Sequence, residues 1–285
     1  MALDITVRPL HSLDDFRRCV QITREVWGDS ELETEPYVTF VVADHTGGQV
    51  LGAFDGHSMV GFTKAFIGLR DKTPYLHSHM AAVLPSHRDR RVGRQLKLAQ
   101  REDALRRDIR RIEWTFDPLE TKNAHFNINR LGAISRHYIP SFYGITTSPL
   151  HRGLPTDRLL VEWHLDSKRV IAAINDLTPE PRECPAHVHL PNPEAPGESA
   201  GAAVAPPAAQ PVAAAPQAGA TAAVQRESAK PEPASTLSPS VAELIELQAR
   251  LRASLTEWFS KGYAIMGVRF TRSGVDYCLS PYSDF

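Results

Sequence analysis

A turn rich in arginine, residues 86–91, lies between a predicted strand and a predicted helix and could bind an anion. The strand-like stretch 75–84 ends at Pro85, and helical spacing starts after the turn. That spacing brings four apolar residues near one helix face: Val92, Leu96, Ala99 and Leu105. The first N–H groups of a helix have no intrahelical partner and its N-terminal end is positive, so arginines at this point build an anion site. Gly93 lies in the first helical turn, where a missing Cβ lets a phosphate approach the backbone.

The segment resembles the acyl-CoA-binding segment of the GNAT superfamily of N-acyltransferases. That family has Gln/Arg-x-x-Gly-x-Gly/Ala between its fourth strand and third helix, and the match here is Arg88-Asp89-Arg90-Arg91-Val92-Gly93. The first Arg and the last Gly keep the pattern, whereas Arg91 replaces its first glycine. The resemblance covers roughly residues 5–166 and implies an α/β (α+β) fold: a mixed, mostly antiparallel central sheet flanked by helices.

The resemblance also implies a co-substrate, acetyl-CoA or another acyl-CoA, and the residues that hold it. Its pyrophosphate would lie on the basic turn: Arg88, Asp89, Arg90, Arg91, Val92, Gly93 and Arg94. The backbone of Ala82, Val83 and Leu84 would pair with the pantetheine arm and polarise the thioester carbonyl. Asn123, on the predicted short helix 123–132, would contact the cofactor or only cap and solvate the helix. The alternative for the turn is a solvated charge run.

Two histidines of the strand, His77 and His79, have period-two spacing and therefore face the same side. Aminolysis of a thioester requires the amine to lose a proton, and imidazole suits a base near neutral pH. We expect His79 to be this base; the alternative is a hydrogen-bonded packing residue. Glu113, on the neighbouring strand in the family's sheet order, is the competing carboxylate, and Asp117 follows it.

The proton donor to the departing thiolate is often a Tyr in the family, four residues before the Gly that closes the fourth helix. This sequence has Ile128 at that position, before Gly132. Tyr138 and Tyr143 lie downstream and could take its place, and we assign Tyr138 to the site.

Composition excludes several classes. A net charge of -1 over 285 residues favours neither nucleic acid nor an anionic membrane surface as a partner. No apolar run reaches the ~20 residues of a membrane helix, and the first residues lack a signal-peptide pattern. Cys19, Cys184 and Cys278 are far apart and predict neither a disulfide framework nor a zinc site. The histidines lack metal-ligand spacing, so we expect no metal and a reduced, cytoplasmic setting.

The remaining patterns up to residue 168 follow the order of elements in the family and predict one domain, 1–168. They are a strand at 5–9, a helix from the N-cap Ser12 to Trp27, a hairpin of 49–54 and 59–67 across Asp55-Gly56, and strands at 111–116 and 158–165. Residues 169–190 form a connecting segment.

Composition changes abruptly after residue 190. Of residues 191–235, 16 are Ala and 9 are Pro. Such a segment cannot bury enough apolar surface to offset its ordering entropy, so 191–237 is predicted to be a disordered linker. A capping box, Ser240-Val-Ala-Glu243, then begins an amphipathic helix that is followed by a hairpin across Ser273-Gly274. A helix with one hairpin is too small to be stable alone, so 238–285 should dock on the first domain.

Three hypotheses for function follow. The first is an N-acyltransferase that passes an acyl group directly to a small amine or amino acid. The second is a non-catalytic acyl-CoA-binding or regulatory module, favoured by Arg91 and Ile128. The third, nucleic-acid binding through the arginines of 106–111, is opposed by the neutral charge and the lack of stacking aromatics. The sequence names neither the acceptor nor the acyl group (acetyl, succinyl or longer), and a homodimer stays open.

Overall fold

The computed structural model describes residues 4–28, 34–144, 146, 151, 153–177, 184, 186–191 and 240–282. The predicted linker lies outside these residues except at its first position, so its disorder stays a prediction. The strands are β1 (Ile5–Pro9), β2 (Gln49–Asp55), β3 (Ser58–Arg70), β4 (Thr73–Val83), β5 (Arg111–Phe116), β6 (Ile134–Ile139), β7 (Arg158–His164), β8 (Ala186–Pro191), β9 (Tyr263–Phe270) and β10 (Gly274–Pro281). The helices are α1 (Leu13–Trp27), α2 (Val38–His45), α3 (Val92–Arg106), α4 (Thr121–His125), α5 (Lys168–Ile174) and α6 (Val241–Ser260).

The ten strands form one sheet in the order β1-β2-β3-β4-β5-β7-β6-β9-β10-β8. Neighbouring strands pair antiparallel, apart from β4 and β5, which are parallel. The mixed, mostly antiparallel sheet predicted from the sequence is therefore confirmed. No helix within the described ranges is long and apolar enough to cross a membrane.

Helices pack on both faces of the first half of the sheet, and the two faces have different cores. On the face that we call the α1/α2 face, Phe16, Phe40 and Phe62 are buried together. On the opposite face, the α3 face, Leu51, Val60, Val92 and Leu96 form a smaller cluster. A functional group on the sheet can therefore be assigned to one face by the core it accompanies.

The bounds of α1 agree with its sequence signals. The Ser12 hydroxyl accepts the Asp15 N–H, and Gly28 closes the helix in the left-handed conformation at φ 64°. On the expected apolar face of α3, Val92 and Leu96 are buried, and Ala99 and Leu105 are half-buried and pack against core clusters. The buried residues of this helix are Val92, Leu96, Lys97, Gln100 and Ala104, so two polar side chains occupy its inner face.

A β-bulge in β4 changes which side chains face which core. Lys64 of β3 pairs with Met80, and Ala65 pairs with Ser78, which leaves His79 as the extra residue on β4. The ring of His79 lies 6.4 Å from that of His77, so both histidines lie on the α1/α2 face as their spacing predicts. Ser78, between them, faces α3.

The C-terminal elements extend the sheet beyond the first domain. Ile265 of β9 pairs with Ser135 of β6, and Leu251 and Leu255 of α6 are buried in the largest core cluster. The strands β6 and β8 have no counterpart in the sequence-based prediction. Cys184, just before β8, is bonded to Cys278 of β10, although cysteine spacing predicts no disulfide.

Candidate active site

The strands β4 and β5, which are the parallel pair among the described strands, open into a cleft. The two strands pair only at Leu76↔Ile112 and His77↔Glu113. Beyond Glu113, β5 continues to pair with β7 on its other edge, starting with Trp114↔Val161, while β4 stays with β3. The backbone of β4 after His77 therefore borders an opening that we call the β4–β5 cleft.

The three backbone positions predicted to hold a pantetheine arm are not equivalent. Leu84 is fully engaged, because its N–H donates to Val60 O at 2.9 Å and its carbonyl accepts the His87 N–H at 2.9 Å. Ala82 lies opposite Phe62 with its side chain buried on the α1/α2 face. The Val83 carbonyl accepts a long hydrogen bond from Arg88 Nε, at 3.4 Å. Val83 and Ala82 remain candidates, whereas the structure argues against Leu84.

The basic turn keeps a glycine-like backbone without the glycine. Arg91, which replaces the first Gly of the motif, has φ 63°, and Asp89 has φ 59°. A side chain in this left-handed region costs about 1–2 kcal/mol per residue. The surrounding fold must therefore stabilise a backbone conformation that these residue types disfavour. No side chain caps the first N–H groups of α3, and a Cβ on Gly93 would meet only Val83 Cγ2, at 4.0 Å. Open backbone donors thus lie at the end of the cleft.

The side chains of the turn point in different directions. Asp89, Arg90 and Arg91 are exposed, whereas Val92 is buried in the α3 face. Arg94 turns back to α5, where it contacts the Ile174 carbonyl and lies 3.7 Å from Asp176. Arg94 is therefore engaged in packing α3 on α5, contrary to the role expected from the motif.

On the α1/α2 face, His79 belongs to a buried polar cluster. The Lys64 ammonium contacts Glu35 Oε1 and donates to Thr39 Oγ1 at 2.8 Å, and its Nζ lies 4.6 Å from the centre of the Phe66 ring. His79 Nε2 lies 3.6 Å from Glu35 Oε2, an ion-pair distance that is too long for a hydrogen bond. Glu35 comes from the connection between α1 and α2, so three separate elements converge on this cluster.

Electrostatics keep the cluster charged. Burial by itself would raise the pKa of Glu35, but the His79 imidazole and the Lys64 ammonium outweigh it and lower that pKa to about 2. Burial lowers the pKa of Lys64, and Glu35 opposes this shift. An ionised Glu35 beside His79 can stabilise the imidazolium that forms when His79 accepts a proton.

The other two candidate bases are less suited. Burial, followed by the charges near it, lowers the pKa of His77 to about 4, so this imidazole stays neutral and is a weak base. Glu113 is buried and its carboxylate contacts two guanidinium groups, those of Arg70 (2.9 Å) and Arg111. An amine would have to displace an ion pair to reach it. The geometry favours His79.

Tyr138 does not join the other candidates. Its hydroxyl donates to Asp157 Oδ2 at 2.7 Å, and the same carboxylate binds Arg252 of α6. Burial and Asp157 raise the pKa of Tyr138, which makes it a poorer acid than free phenol. Tyr143 instead contacts Thr115 Oγ1 at 3.3 Å, on the part of β5 that borders the cleft, with its pKa raised by burial to about 12. Tyr143 is the better placed of the two downstream tyrosines.

The element that follows β5 is irregular. The helix α4 continues into a π-helix, Phe126–Arg130, a conformation that often marks functional sites. Asn123 is buried and its Oδ1 accepts Asn127 Nδ2 at 3.2 Å, so it is held within the helix rather than left open for a ligand. Ile128 is fully buried and offers no proton.

Lys97 is a second buried lysine, on the α3 side of the cleft. Its Nζ donates to Ser78 Oγ at 2.8 Å and to Gln100 Oε1 at 3.2 Å, and lies 3.9 Å from the centre of the Trp114 ring. Ser78 and Trp114 directly follow the last paired positions of β4 and β5. Lys97 thus bridges the two strands where they separate.

Sequence reasoning missed Glu35, Lys64 and Lys97. A signal existed for Lys64, because a lysine within the apolar run 59–67 must be exposed or paired. Lys97 and Gln100 are i, i+3 on α3 beside the apolar residues, which was compatible with an inner polar pair. Within the described ranges, no group of His, Cys, Asp and Glu side chains could hold a metal ion.

The mixed sheet, with a parallel strand pair that separates beside a basic turn, agrees with the fold that the resemblance to N-acyltransferases implies. Residues 13–132 match the model of the acetyltransferase (GNAT) family, which identifies this part of the chain as a GNAT acetyltransferase domain. No curated protein sequence matches the chain.

Several solved structures are similar in fold. The ribosomal-protein-S18-alanine N-acetyltransferase from Escherichia coli is 13% identical with a TM-score of 0.46, covering 57% of this chain and 95% of that chain. A Salmonella typhimurium protein solved with its cofactor acetyl-CoA is 16% identical with a TM-score of 0.44, covering 57% of this chain and 95% of that chain. An aminoglycoside acetyltransferase from an uncultured soil metagenomic sample is 12% identical with a TM-score of 0.39, covering 43% and 84%.

Proposed function

We propose that the protein transfers an acyl group, with acetyl-CoA as donor, directly to a small amine or amino acid. The observation that carries the proposal is the β4–β5 cleft, which has the open N-terminus of α3 at its end and His79 on the α1/α2 face. The phosphates of the cofactor would bind the basic turn and the N–H groups of α3. The pantetheine arm would pair with the backbone at Ala82 and Val83.

The chemistry needs one base and one acid. His79 takes a proton from the acceptor ammonium or amine, and the amine nitrogen attacks the thioester carbonyl carbon. The C–N bond forms, the C–S bond breaks, and the thiolate takes a proton from Tyr143 or water. Tyr143 then regains a proton from the attacking nitrogen or from solvent, and the nitrogen ends as a neutral amide. Glu35 stabilises the imidazolium, and the conjugate acid of His79 returns its proton to solvent. No covalent enzyme intermediate is required.

The cofactor part of the proposal can be tested by binding. Thermal shifts with CoA, acetyl-CoA and succinyl-CoA should each be positive, since a ligand at 100 times its Kd adds about 2.7 kcal/mol. Replacing Arg88 and Arg90 by Ala together should weaken CoA roughly tenfold, a loss of about 1.4 kcal/mol. A pantetheine thioester without phosphates should lose little.

The matched control for this test is Arg110→Ala, since Arg110 is an exposed arginine paired with Asp108 and Asp166. Its replacement should leave CoA binding unchanged. An equal loss for CoA and the phosphate-free thioester in the double variant would count against the turn as the phosphate site.

A second candidate function is a non-catalytic acyl-CoA-binding module. Ile128, fully buried at the position where the family often has its acid, favours it. The decisive measurement is release of free CoA thiol with a panel of amines, together with the product masses. Binding of acetyl-CoA without acylation of any amine would make this second function the better one.

A cytoplasmic setting also stays a prediction. Disulfides persist in oxidising compartments and are rare in reducing ones, so the bond between Cys184 and Cys278 points the other way. Alkylation of free thiols at lysis, followed by intact mass, would distinguish one free thiol (Cys19) from three.

A further inference from the structure

A buried carboxylate, Asp157, joins the C-terminal helix α6 to the loop that carries Tyr143. The side chain of Asp157 is 0% exposed, and the residue lies just before β7. Arg252 of α6 donates to both of its oxygens, from Nε to Oδ2 and from Nη2 to Oδ1, each at 2.9 Å. The Ser141 N–H donates to Oδ1 at 2.9 Å, and the Tyr138 hydroxyl donates to Oδ2 at 2.7 Å. One carboxylate thus holds β6, the loop after it and α6 together.

Helix α6 reaches the same segment at a second point. Gln248, one helical turn before Arg252, is 1% exposed, and its Nε2 donates to the Pro155 carbonyl at 2.9 Å. Residues spaced i, i+4 lie on one face of a helix. This face of α6 therefore lies directly on residues 155–157.

The residue before the buried carboxylate fixes the backbone of Tyr143. Thr156 Oγ1 accepts the Tyr143 N–H at 2.8 Å and donates to the Gly144 carbonyl at 2.7 Å. The Thr156 carbonyl accepts the Phe142 N–H at 2.9 Å. Thr156 is 1% exposed, so its side chain is shielded from water. Residues 141–144 are therefore held against the chain that leads into β7.

The residue after the carboxylate contacts the ring of Tyr143. The Arg158 guanidinium lies 5.5 Å from the ring centre, within the distance of a cation–π interaction. Arg158 Nη1 donates to the Asp157 carbonyl at 3.0 Å, and the side chain of Arg158 is 4% exposed. Three consecutive residues, 156–158, thus hold the backbone, the loop and the ring of Tyr143, and α6 binds the middle one of the three.

The side chain of Tyr143 reaches β5 on the α1/α2 face of the sheet. Its hydroxyl lies 3.3 Å from Thr115 Oγ1, a hydrogen bond in which either oxygen can donate. Thr115 is two residues after Glu113, the last position of β5 that pairs with β4, so alternation puts both side chains on one face. His77, the register partner of Glu113, lies on that face with His79. The Tyr143 hydroxyl is therefore held on β5 where it borders the cleft, on the same face as the proposed base.

We infer that Asp157 and Arg252 are positioning residues, which hold the Tyr143 hydroxyl at the cleft for proton transfer to the departing thiolate. The inference rests on the proposed function and gives the C-terminal helix a part in its site. In this step the hydroxyl proton of Tyr143 passes to the sulfur of CoA, and the phenolate regains a proton from the attacking nitrogen. A misplacement of about 1 Å can cost about 100-fold in rate. Loss of Arg252 should therefore slow the transfer although this arginine acts only through Asp157 and the loop.

The test is Arg252→Met, which removes the opposite charge from a buried carboxylate. The matched control is Arg269→Met, which removes an arginine from a comparably buried carboxylate, Asp276, within the β9–β10 hairpin. Arg252→Met should lower kcat by at least about tenfold and change KM for acetyl-CoA by less than about twofold. Arg252→Lys should keep part of the rate, and Arg269→Met should keep all of it. Melting temperatures show that the assayed variants are folded, and Arg252→Lys provides the comparison if the Met variant does not fold.

A double-mutant cycle separates positioning from a general loss of stability. Tyr143→Phe should lower kcat by at least as much as Arg252→Met, and Arg252→Met added to Tyr143→Phe should lower it further by less than about twofold. Tyrosine labelled with carbon-13 at the ring Cζ gives a second readout, by NMR and without turnover. The Tyr143 signal, assigned by its loss in Tyr143→Phe, should move in Arg252→Met and in Arg252→Lys but stay in Arg269→Met.

Three results overturn the inference while the proposed function stands. They are full turnover in Tyr143→Phe, full turnover in folded Arg252→Met, and losses that multiply independently in the double variant. An unmoved Tyr143 signal in both Arg252 variants also overturns it, whatever the turnover. If no amine is acylated although acetyl-CoA binds, the proposed function fails and the inference fails with it.

Discussion

The two faces of the sheet each bury one lysine, and the two lysines have different partners. Lys64, on the α1/α2 face, is 0% exposed and forms an ion pair with Glu35. Lys97, on the α3 face, is 2% exposed and contacts a hydroxyl, an amide oxygen and an aromatic ring. No carboxylate of the described residues lies within ion-pair distance of Lys97.

The difference shows what a carboxylate partner does for a buried charge. Burial lowers the pKa of both lysines, but for Lys64 the charge of Glu35 opposes the shift. For Lys97 no carboxylate opposes the shift, and burial lowers its pKa to about 7. The α1/α2 face is therefore built to hold fixed charges beside the proposed base, whereas the α3 face holds a charge that titrates near neutral pH.

The largest effect is expected from breaking the ion pair. Glu35→Gln keeps the shape of the side chain but leaves Lys64 buried without a carboxylate, which should lower the free energy of unfolding by about 3–5 kcal/mol. The double variant Glu35→Gln, Lys64→Met should recover much of the loss, because it removes the uncompensated charge. Denaturant unfolding of the single and double variants measures both.

The control for the ion pair is Glu25→Gln, which changes a half-exposed carboxylate of α1. Surface changes of this kind stay within about 0.5 kcal/mol. Unchanged stability in Glu35→Gln would mean that Lys64 finds another partner or loses its proton at little cost.

The next largest effect is expected on the turnover rate when His79, on the α1/α2 face, is replaced. His79→Ala should lower kcat about 100-fold or more, the usual range for the loss of one acid–base group. Binding of acetyl-CoA should barely change, since His79 lies outside the basic turn. His57→Ala, in the exposed turn between β2 and β3, is the control.

Other outcomes for His79→Ala are also informative. A near-normal rate would transfer the role of base to Glu113 or to a water chain. Loss of soluble protein instead of activity would support the packing role that the sequence left open.

The elements of the first domain were predictable because their periodicity is strong. The bounds of β1, α1 and β5 are those that alternation and capping predict. The strand β6 was missed, because Ser135, Arg136 and His137 break its apolar pattern. A prediction from periodicity places every lysine side chain at the surface, because it considers only the residue type and not the partners. The partner of Lys64 is Glu35, 29 positions earlier in a connection without periodicity, so the pair could not be read from spacing.

A smaller effect is expected from Lys97, the buried lysine of the α3 face, whose contribution to stability should depend on pH. Below pH 7, Lys97 carries its proton in both the folded and the unfolded chain, and the full destabilisation is present. Between about pH 7 and the unfolded pKa of about 10.4, the unfolded chain binds more protons, so stability rises with pH by up to about 1.4 kcal/mol per unit. Lys97→Met lacks this rise.

The stability of Lys97→Met relative to the natural chain should therefore be highest near pH 6 and fall by about 2 kcal/mol between pH 7 and 9. Subtracting the two curves of unfolding free energy against pH removes the contribution of Lys64, which both proteins share. Lys261→Met, an exposed lysine of the α6 end, should give a flat difference. A flat difference for Lys97→Met as well would mean that Lys97 of the folded chain stays ionised throughout this range.

The smallest effect lies at the start of the same helix. Arg91 precedes α3 with φ 63°, a conformation that glycine adopts without steric cost. Arg91→Gly should stabilise the protein by about 1 kcal/mol, the side-chain strain relieved less the extra entropy of glycine in the unfolded chain. Arg106→Gly is the matched control, since this exposed arginine has helical geometry and glycine there should destabilise by about 0.5–1 kcal/mol.

Arg91 and Lys97 are six residues apart, about 9 Å along the helix at 1.5 Å per residue, and share no contact in the structure. Their effects should therefore add within about 0.5 kcal/mol. A clear departure from additivity would show that the turn and the buried lysine respond to each other, and the cleft between them would then act as one unit rather than as two independent ends.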